Sequence, residues 1–218
     1  MNVLFSDDHV IVAEKPQGIL SQKDEKGRKN MISLLEEAFS CEIFPIHRLD
    51  KETGGVMVFA KTSFAAANLS KSLQENKFQK EYFAVLHKKP EEEKGSFEDL
   101  LFYDRKKNKV FPVKRERGGV KKAKLTYCLD KETDETFLVR VFPKTGRTHQ
   151  IRVQFASRKM PLYGDKKYGG TGDHLGLFCH ALSFPHPKTK EEMRFTALPP
   201  NTAPWNSFFS VKQDLDKI

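Results

Sequence analysis

The sequence predicts an α+β fold, and three observations carry that expectation. Runs rich in β-branched and aromatic residues recur at 10–13, 56–60, 80–87, 125–129 and 137–142, each of strand length. Two stretches between them, 31–39 and 62–76, place apolar residues at helical rather than alternating spacing. The last two strand candidates are joined by a short polar turn, residues 131–134, which makes them an antiparallel hairpin.

Each element has a local cause. The first strand is stopped by Lys15-Pro16-Gln17-Gly18, because proline cannot continue a ladder and glycine permits a turn. Residues 21–29 are polar and read as a surface loop. Asn30 is placed as the N-cap of a helix that buries Met31, Ile32, Leu35 and Phe39 and leaves Glu36 and Glu37 in solvent. Residues 56–60 are apolar throughout, as in a buried strand, and Gly54-Gly55 ahead of them predicts a tight turn. Thr62 or Ser63 caps a second helix whose stripe, Ala65, Leu69 and Leu73, is core. The strand at 80–87 follows, then a charged connection over 88–94.

Between Tyr103 and Lys124 lies the most basic region: Arg105, Lys106, Lys107, Lys109, Lys114, Arg115, Arg117, Lys121, Lys122 and Lys124, interleaved with Phe102, Tyr103 and Phe111. Basic side chains contact phosphates without reading sequence, and aromatic rings offer faces to unstacked bases. A solvated, mobile loop is the plain alternative. After the hairpin, Gly146 turns the backbone into a short helix with Ile151 and Phe155 as an i, i+4 pair, from which Arg152 projects toward a cleft. Trp205, Phe208 and Phe209 dock the tail on the core, and a polar end follows.

Composition narrows the function. At 218 residues the chain can bury a real core, as one large domain or two small lobes. Lys and Arg number 38 against 29 Asp and Glu, a net charge of +9 that favours an anionic partner such as nucleic acid or an acidic membrane surface. Cys41, Cys128 and Cys179 are isolated and read as small buried hydrophobes in a reducing cytosol. No apolar run approaches the roughly 18 residues of a membrane span, and the N-terminus lacks signal-peptide character, so a cytoplasmic protein is expected. His180 and His186 have no third ligand at metal-binding spacing, so no metal site is expected.

The chain is organised around His47-Arg48-Leu49-Asp50-Lys51-Glu52-Thr53-Gly54-Gly55, a cluster of ionisable groups at the mouth of the 56–60 strand. A carboxylate fixed there with cations on both sides is a candidate catalytic group, because neighbouring positive charge favours its ionised form. A solvated loop whose charges happen to cluster is the plain alternative, and composition alone favours it. This order of residues, with the strand and Ala60-Lys61 behind it, resembles the signature of the RluA-type pseudouridine synthases. Lys15-Pro16-Gln17-Gly18 matches that family's opening motif, and Gly146-Arg147-Thr148-His149-Gln150-Ile151-Arg152 matches its third motif residue for residue. Residues 161–170 and 180–187 resemble its Gly-Asp-x-x-Tyr loop and its closing motif. One departure stands out: Gly54 occupies the place where the family usually has serine.

The resemblance implies the pseudouridine synthase fold, a mixed and largely antiparallel sheet flanked by helices around a central active-site cleft. It treats residues 1–218 as a single catalytic domain, with no separate RNA-binding domain ahead of Lys15. It implies isomerisation of specific uridines in ribosomal or transfer RNA, with Asp50 as catalytic carboxylate, Tyr82 stacked on the target base and Arg152 paired with Asp50. At about 4 Å and an effective dielectric near 20 such a pair attracts by roughly 4 kcal/mol before desolvation. Arg48 is positioned like the family arginine that fills the vacated stack, and Arg147 and His149 contact phosphate or support the loop. The isomerisation loses and oxidises nothing, so no cofactor is expected, and a monomer is expected. The rivals are an RNA-binding protein or chaperone on the same fold without catalysis, and a nuclease using His47, His149 and Asp50.

Overall fold

The computed structural model describes residues 1–209. Strands β1 (Asn2–Ser6) and β2 (Val10–Lys15) lead into helix α1 (Met31–Phe39), a two-residue strand β3 (Phe44–Pro45), strand β4 (Gly54–Ala60) and helix α2 (Ser63–Gln74). Five strands then follow in succession: β5 (Gln79–Leu86), β6 (Lys94–Asp104), β7 (Lys109–Val113), β8 (Val120–Glu132) and β9 (Phe137–Pro143). Helix α3 (Gln150–Ala156), strands β10 (Leu177–Pro185) and β11 (Glu192–Thr196), and a 3₁₀ turn at Trp205–Ser207 come last. Strands and helices mix as an α+β fold, and the chain divides into two compact units, Met1–Lys80 with Phe178–Leu198, and Glu81–Leu177 with Pro199 onward.

In the first unit the strands run in the order β1-β2-β4-β10, with β3 beside β4 and β11 beside β10. The pairings are antiparallel apart from β4 with β10, which is parallel. Every residue of β4 is buried, which is why its sequence is apolar without alternation. Val10, Val12, Val56, Val58, Leu182 and Phe184 form the core, closed by Ala65 and Leu69 of α2. Both helices start where the sequence puts their caps. Asn30 Oδ1 accepts from Ser33 N–H at 2.9 Å, and Thr62 Oγ1 accepts from Ala65 N–H at 3.1 Å. Strand β1 has no alternating signal, because only Leu4 and Phe5 of this edge strand are half-buried.

The turn expected at Gly54-Gly55 is not there; these glycines open β4, and the turn lies one step earlier, closed by Thr53 N–H to the Asp50 carbonyl at 3.0 Å. Gly55 has φ +121°, and a Cβ there would lie 2.3 Å from the carbonyl oxygen of Cys179 on β10. The glycine serves close strand approach.

The second unit carries β5-β9-β8-β6-β7, all antiparallel. The expected hairpin is β8–β9, with a bulge between Leu129 and Lys131. The basic region, for which a solvated, mobile loop is the alternative reading, is in large part strand: β7 buries Val110 and the start of β8 buries Ala123, beside Leu101 of β6. Leu101, Val110 and Ala123 pack on Val153 of α3. The lysines hid this, since they fall on the exposed positions and in the two turns.

The tail docks as expected: Trp205 and Phe208 are buried, and the Phe209 ring lies 5.1 Å from that of Phe83. The polar end beyond Phe209 lies outside the described residues. Of the cysteines, Cys179 is buried, whereas Cys41 and Cys128 are half-exposed thiols. No helix among the described residues is long and apolar enough to cross a membrane.

Candidate active site

Asp50 sits in the first unit, on the segment between β3 and β4. Burial alternates along it: His47 and Leu49 are buried, Arg48 is exposed, and Asp50 is half-buried, so the apolar residues root the segment while the charged ones reach solvent. Residues 15–21 hold the backbone on both sides of Asp50. The Ser21 hydroxyl donates to the Leu49 carbonyl at 2.7 Å and accepts from the Leu49 N–H at 3.0 Å. Past Asp50, the Lys51 carbonyl accepts from Gly18 N–H at 2.9 Å and from Lys15 Nζ at 3.1 Å, and the Glu52 carbonyl accepts from Gln17 Nε2 at 3.0 Å.

Lys15 is fully buried at the end of β2. Its ammonium also donates to the Ile19 carbonyl at 2.7 Å and the Pro16 carbonyl at 3.0 Å, so its three donors meet three carbonyls. Burial brings its pKa down to about 8, against the pull of Glu52 and Asp50 toward the charged form. The Lys-Pro-x-Gly tetrapeptide, read from sequence as a stop signal, is thus a brace for the segment carrying Asp50. Nothing local in sequence marks it, since Glu14 separates Lys15 from the apolar run 10–13.

His47 does not suit acid–base chemistry. Its Nε2 accepts from the Val58 N–H at 3.3 Å, which puts the proton of the neutral ring on Nδ1. Burial, with Lys80 adding like charge, holds its pKa well below the usual histidine range. The nuclease reading loses a needed group.

In the second unit, Arg152 lies on α3 and is buried. Its guanidinium grips Asp165 with two parallel bonds, Nε to Oδ2 at 2.8 Å and Nη2 to Oδ1 at 2.7 Å. It also stands 5.4 Å from the centre of the Tyr168 ring. Tyr168 Oη accepts from the Val110 N–H at 2.9 Å and lies 2.9 Å from His149 Nδ1. The Gly164-Asp165-Lys166-Lys167-Tyr168 loop, expected from sequence to give structural support, therefore sets the orientation of Arg152. The sequence reading left Asp165 out of the site.

The turn before α3 is held by Gln150, whose Oε1 accepts from Thr145 Oγ1 at 2.7 Å and from Arg147 N–H at 3.1 Å. Arg147 is exposed, and its Nε donates to the Lys122 carbonyl at 3.0 Å. His149 is the N-cap residue just before α3, with φ 51°. Both are engaged in shaping the loop. Tyr82 is buried on β5 opposite Val141. His180 Nδ1 donates to the Ala197 carbonyl at 2.7 Å, and His186 Nε2 lies 2.9 Å from Asp7. Among the described residues no three His, Cys, Asp or Glu side chains gather as metal ligands.

A solved structure, human RNA pseudouridylate synthase domain containing 4, superposes with a TM-score of 0.76, over 91% of this chain and 88% of that one, at 23% identity. The fold is thus that of the pseudouridylate synthase domains. Residues 9–157 match the RNA pseudouridylate synthase family, and the tRNA pseudouridine synthase C of Haemophilus ducreyi is 32% identical over 91% of this chain and 90% of its own length. The chain belongs to the RNA pseudouridylate synthase family. An uncharacterized RNA pseudouridine synthase of Mycoplasma pneumoniae is 30% identical over 90% of this chain, and the chain spans 66% of that relative's length.

Proposed function

We propose that the protein isomerises uridine to pseudouridine in ribosomal or transfer RNA, acting in the cytoplasm as a monomer. The observation that carries this reading is that the family match over residues 9–157 contains Asp50, Tyr82 and Arg152. The reaction breaks the bond from the ribose carbon to N1 of uracil and joins that carbon to C5. The C5 proton leaves and N1 takes one up, so the product has the composition of the substrate. Asp50 supplies the carboxylate, at the sugar or the base. The hydrogen bonds at Leu49, Lys51 and Glu52 hold its backbone, so that orientation is settled before the substrate arrives. Arg152 is the cation assigned to partner the carboxylate, and Tyr82 stacks on the extruded base. Extrusion from a stem costs a few kcal/mol; Arg48, exposed next to Leu49, fills the vacated place in the stack. Arg147 and His149 support the loop from which Arg152 acts.

Tritium release from RNA labelled at C5 of uridine tests the reading directly, using separate ribosomal and transfer RNA pools. The wild-type chain releases tritium and leaves the RNA intact. Asp50→Ala binds the same RNA but releases none above background, a loss of at least a thousandfold on the scale of about 1.4 kcal/mol per decade. Release by Asp50→Ala at the wild-type rate would remove Asp50 from the mechanism.

A further inference from the structure

The charge of this protein is concentrated in one place. Residues 105–124 hold ten cations and a single acid, Glu116, a net of +9 that equals the charge of the whole chain; the other 198 residues balance at zero. These twenty residues form the β6–β7 turn, β7, the β7–β8 turn and the start of β8. Strand alternation divides the three strands into two faces. One face carries Leu101, Val110 and Ala123 and is buried against α3. The other carries two cross-strand rows, Val113-Leu100-Lys122 and Phe111-Phe102-Val120, and every one of these six residues is half-buried or exposed.

Phe111 and Phe102 are therefore paired aromatics on an open sheet face, and cations surround them. The Arg117 guanidinium lies 4.8 Å from the centre of the Phe102 ring, and the ammoniums of Lys107 and Lys109 lie 5.8 and 5.9 Å from that of Phe111. A regularly charged polyanion with flat groups between its charges fits this combination; a protein partner would need an unusually acidic surface to match it. We propose that the open face of β6, β7 and β8 binds single-stranded RNA, with phosphates on the turn cations and bases stacked on Phe111 and on the Phe102–Arg117 pair. The inference rests on the reading of RNA as substrate and adds a surface that grips RNA outside the target nucleotide.

The test uses the full-length protein and two fluorescent probes, a twenty-nucleotide oligouridylate and an RNA duplex of the same length, titrated at several salt concentrations. Lys106, Lys114 and Arg115 are exposed turn residues, and changing all three to Ser removes charge without touching the core. The slope of log affinity against log salt for oligouridylate then falls by about 2, near 0.7 for each phosphate that the variant leaves unneutralised. Phe111→Leu keeps an apolar side chain but removes the flat face; it weakens oligouridylate roughly tenfold and leaves the duplex unchanged. An unchanged salt slope in the triple variant overturns the proposal. Equal weakening of both probes by Phe111→Leu overturns the single-strand assignment in favour of duplex docking. Tritium release by the wild-type protein is scored separately. Loss of oligouridylate affinity in the variants, with no release from any RNA, would keep the surface and discard uridine isomerisation.

Discussion

Lys15 shows how much a single side chain can do for the segment that carries Asp50. A buried ammonium is unfavourable, and this one is tolerated because three carbonyls receive its three protons. Its pKa of about 8 lies below the ordinary 10.5, so the unfolded chain retains a proton between pH 8 and 10.5 that the folded chain has released. Stability therefore rises with pH across that window, and the penalty of burying the charge is fully present below pH 8. Denaturant unfolding of the wild type and of Lys15→Met, compared from pH 7 to 10.5, should show their difference moving in favour of the wild type by about 3 kcal/mol, at about 1.4 kcal/mol per pH unit for one proton. A flat difference would mean that Lys15 ionises alike in both states. Sequence could not rank this residue, because a lysine beside a proline turn looks the same whether its ammonium is in water or beneath the Asp50 segment. The segment carrying Asp50 was legible as a cluster of ionisable groups ahead of the 56–60 strand, since that pattern and the family signature it matches are local in sequence.

Among the elements, α3 and the Gly164–Tyr168 loop are legible singly but not as a pair. The sequence shows a short helix with an arginine and, separately, a glycine-rich loop with an aspartate; only folding joins Arg152 to Asp165. The strands divide in the same manner. β4 and β9 announce themselves by apolar content, whereas β6 mixes Phe97 and Leu101 with glycine, serine and acidic residues, and β7 is short, contains Pro112 and lies between two cation-rich turns, so that Leu101 and Val110 do not stand out. Gly54 and Gly55 look like a turn because nothing local indicates that a parallel neighbour will press on the backbone. The ion pair supplies the prediction for this scale. Asp165 is 1% exposed and Arg152 6%, and removing one partner of a buried pair costs about 3–5 kcal/mol. Asp165→Ala should lower the denaturation midpoint accordingly. Asp165→Asn, which keeps the shape, should retain more of the fold while tritium release falls with the loss of the charge that orients Arg152. Full activity in Asp165→Asn would limit the loop to a structural role.

At the scale of the whole molecule, neither compact unit is a continuous piece of chain. The first unit takes residues 1–80 and then returns to Phe178–Leu198 for β10 and β11. This return cannot be read from sequence order, since β10 pairs parallel with β4 from more than a hundred residues away. Its contribution is large. Phe178, Leu182 and Phe184 are each no more than 1% exposed, and burying a side chain of this size stabilises by about 1.5–3 kcal/mol. Three of them amount to about 4.5–9 kcal/mol, comparable with the 5–15 kcal/mol that typically separates folded from unfolded domains. A fragment ending at Lys80 keeps both helices, β2 and β4, yet exposes one edge of β4 and much of the core formed with Leu182 and Phe184. That fragment should show no cooperative thermal transition by circular dichroism. Joining residues 178–198 to it through a flexible linker should restore one, because the missing strand then returns at high effective concentration. A sharp transition in the fragment alone would show that β4 needs no partner on its β10 edge, and that the first unit folds without the returning strand.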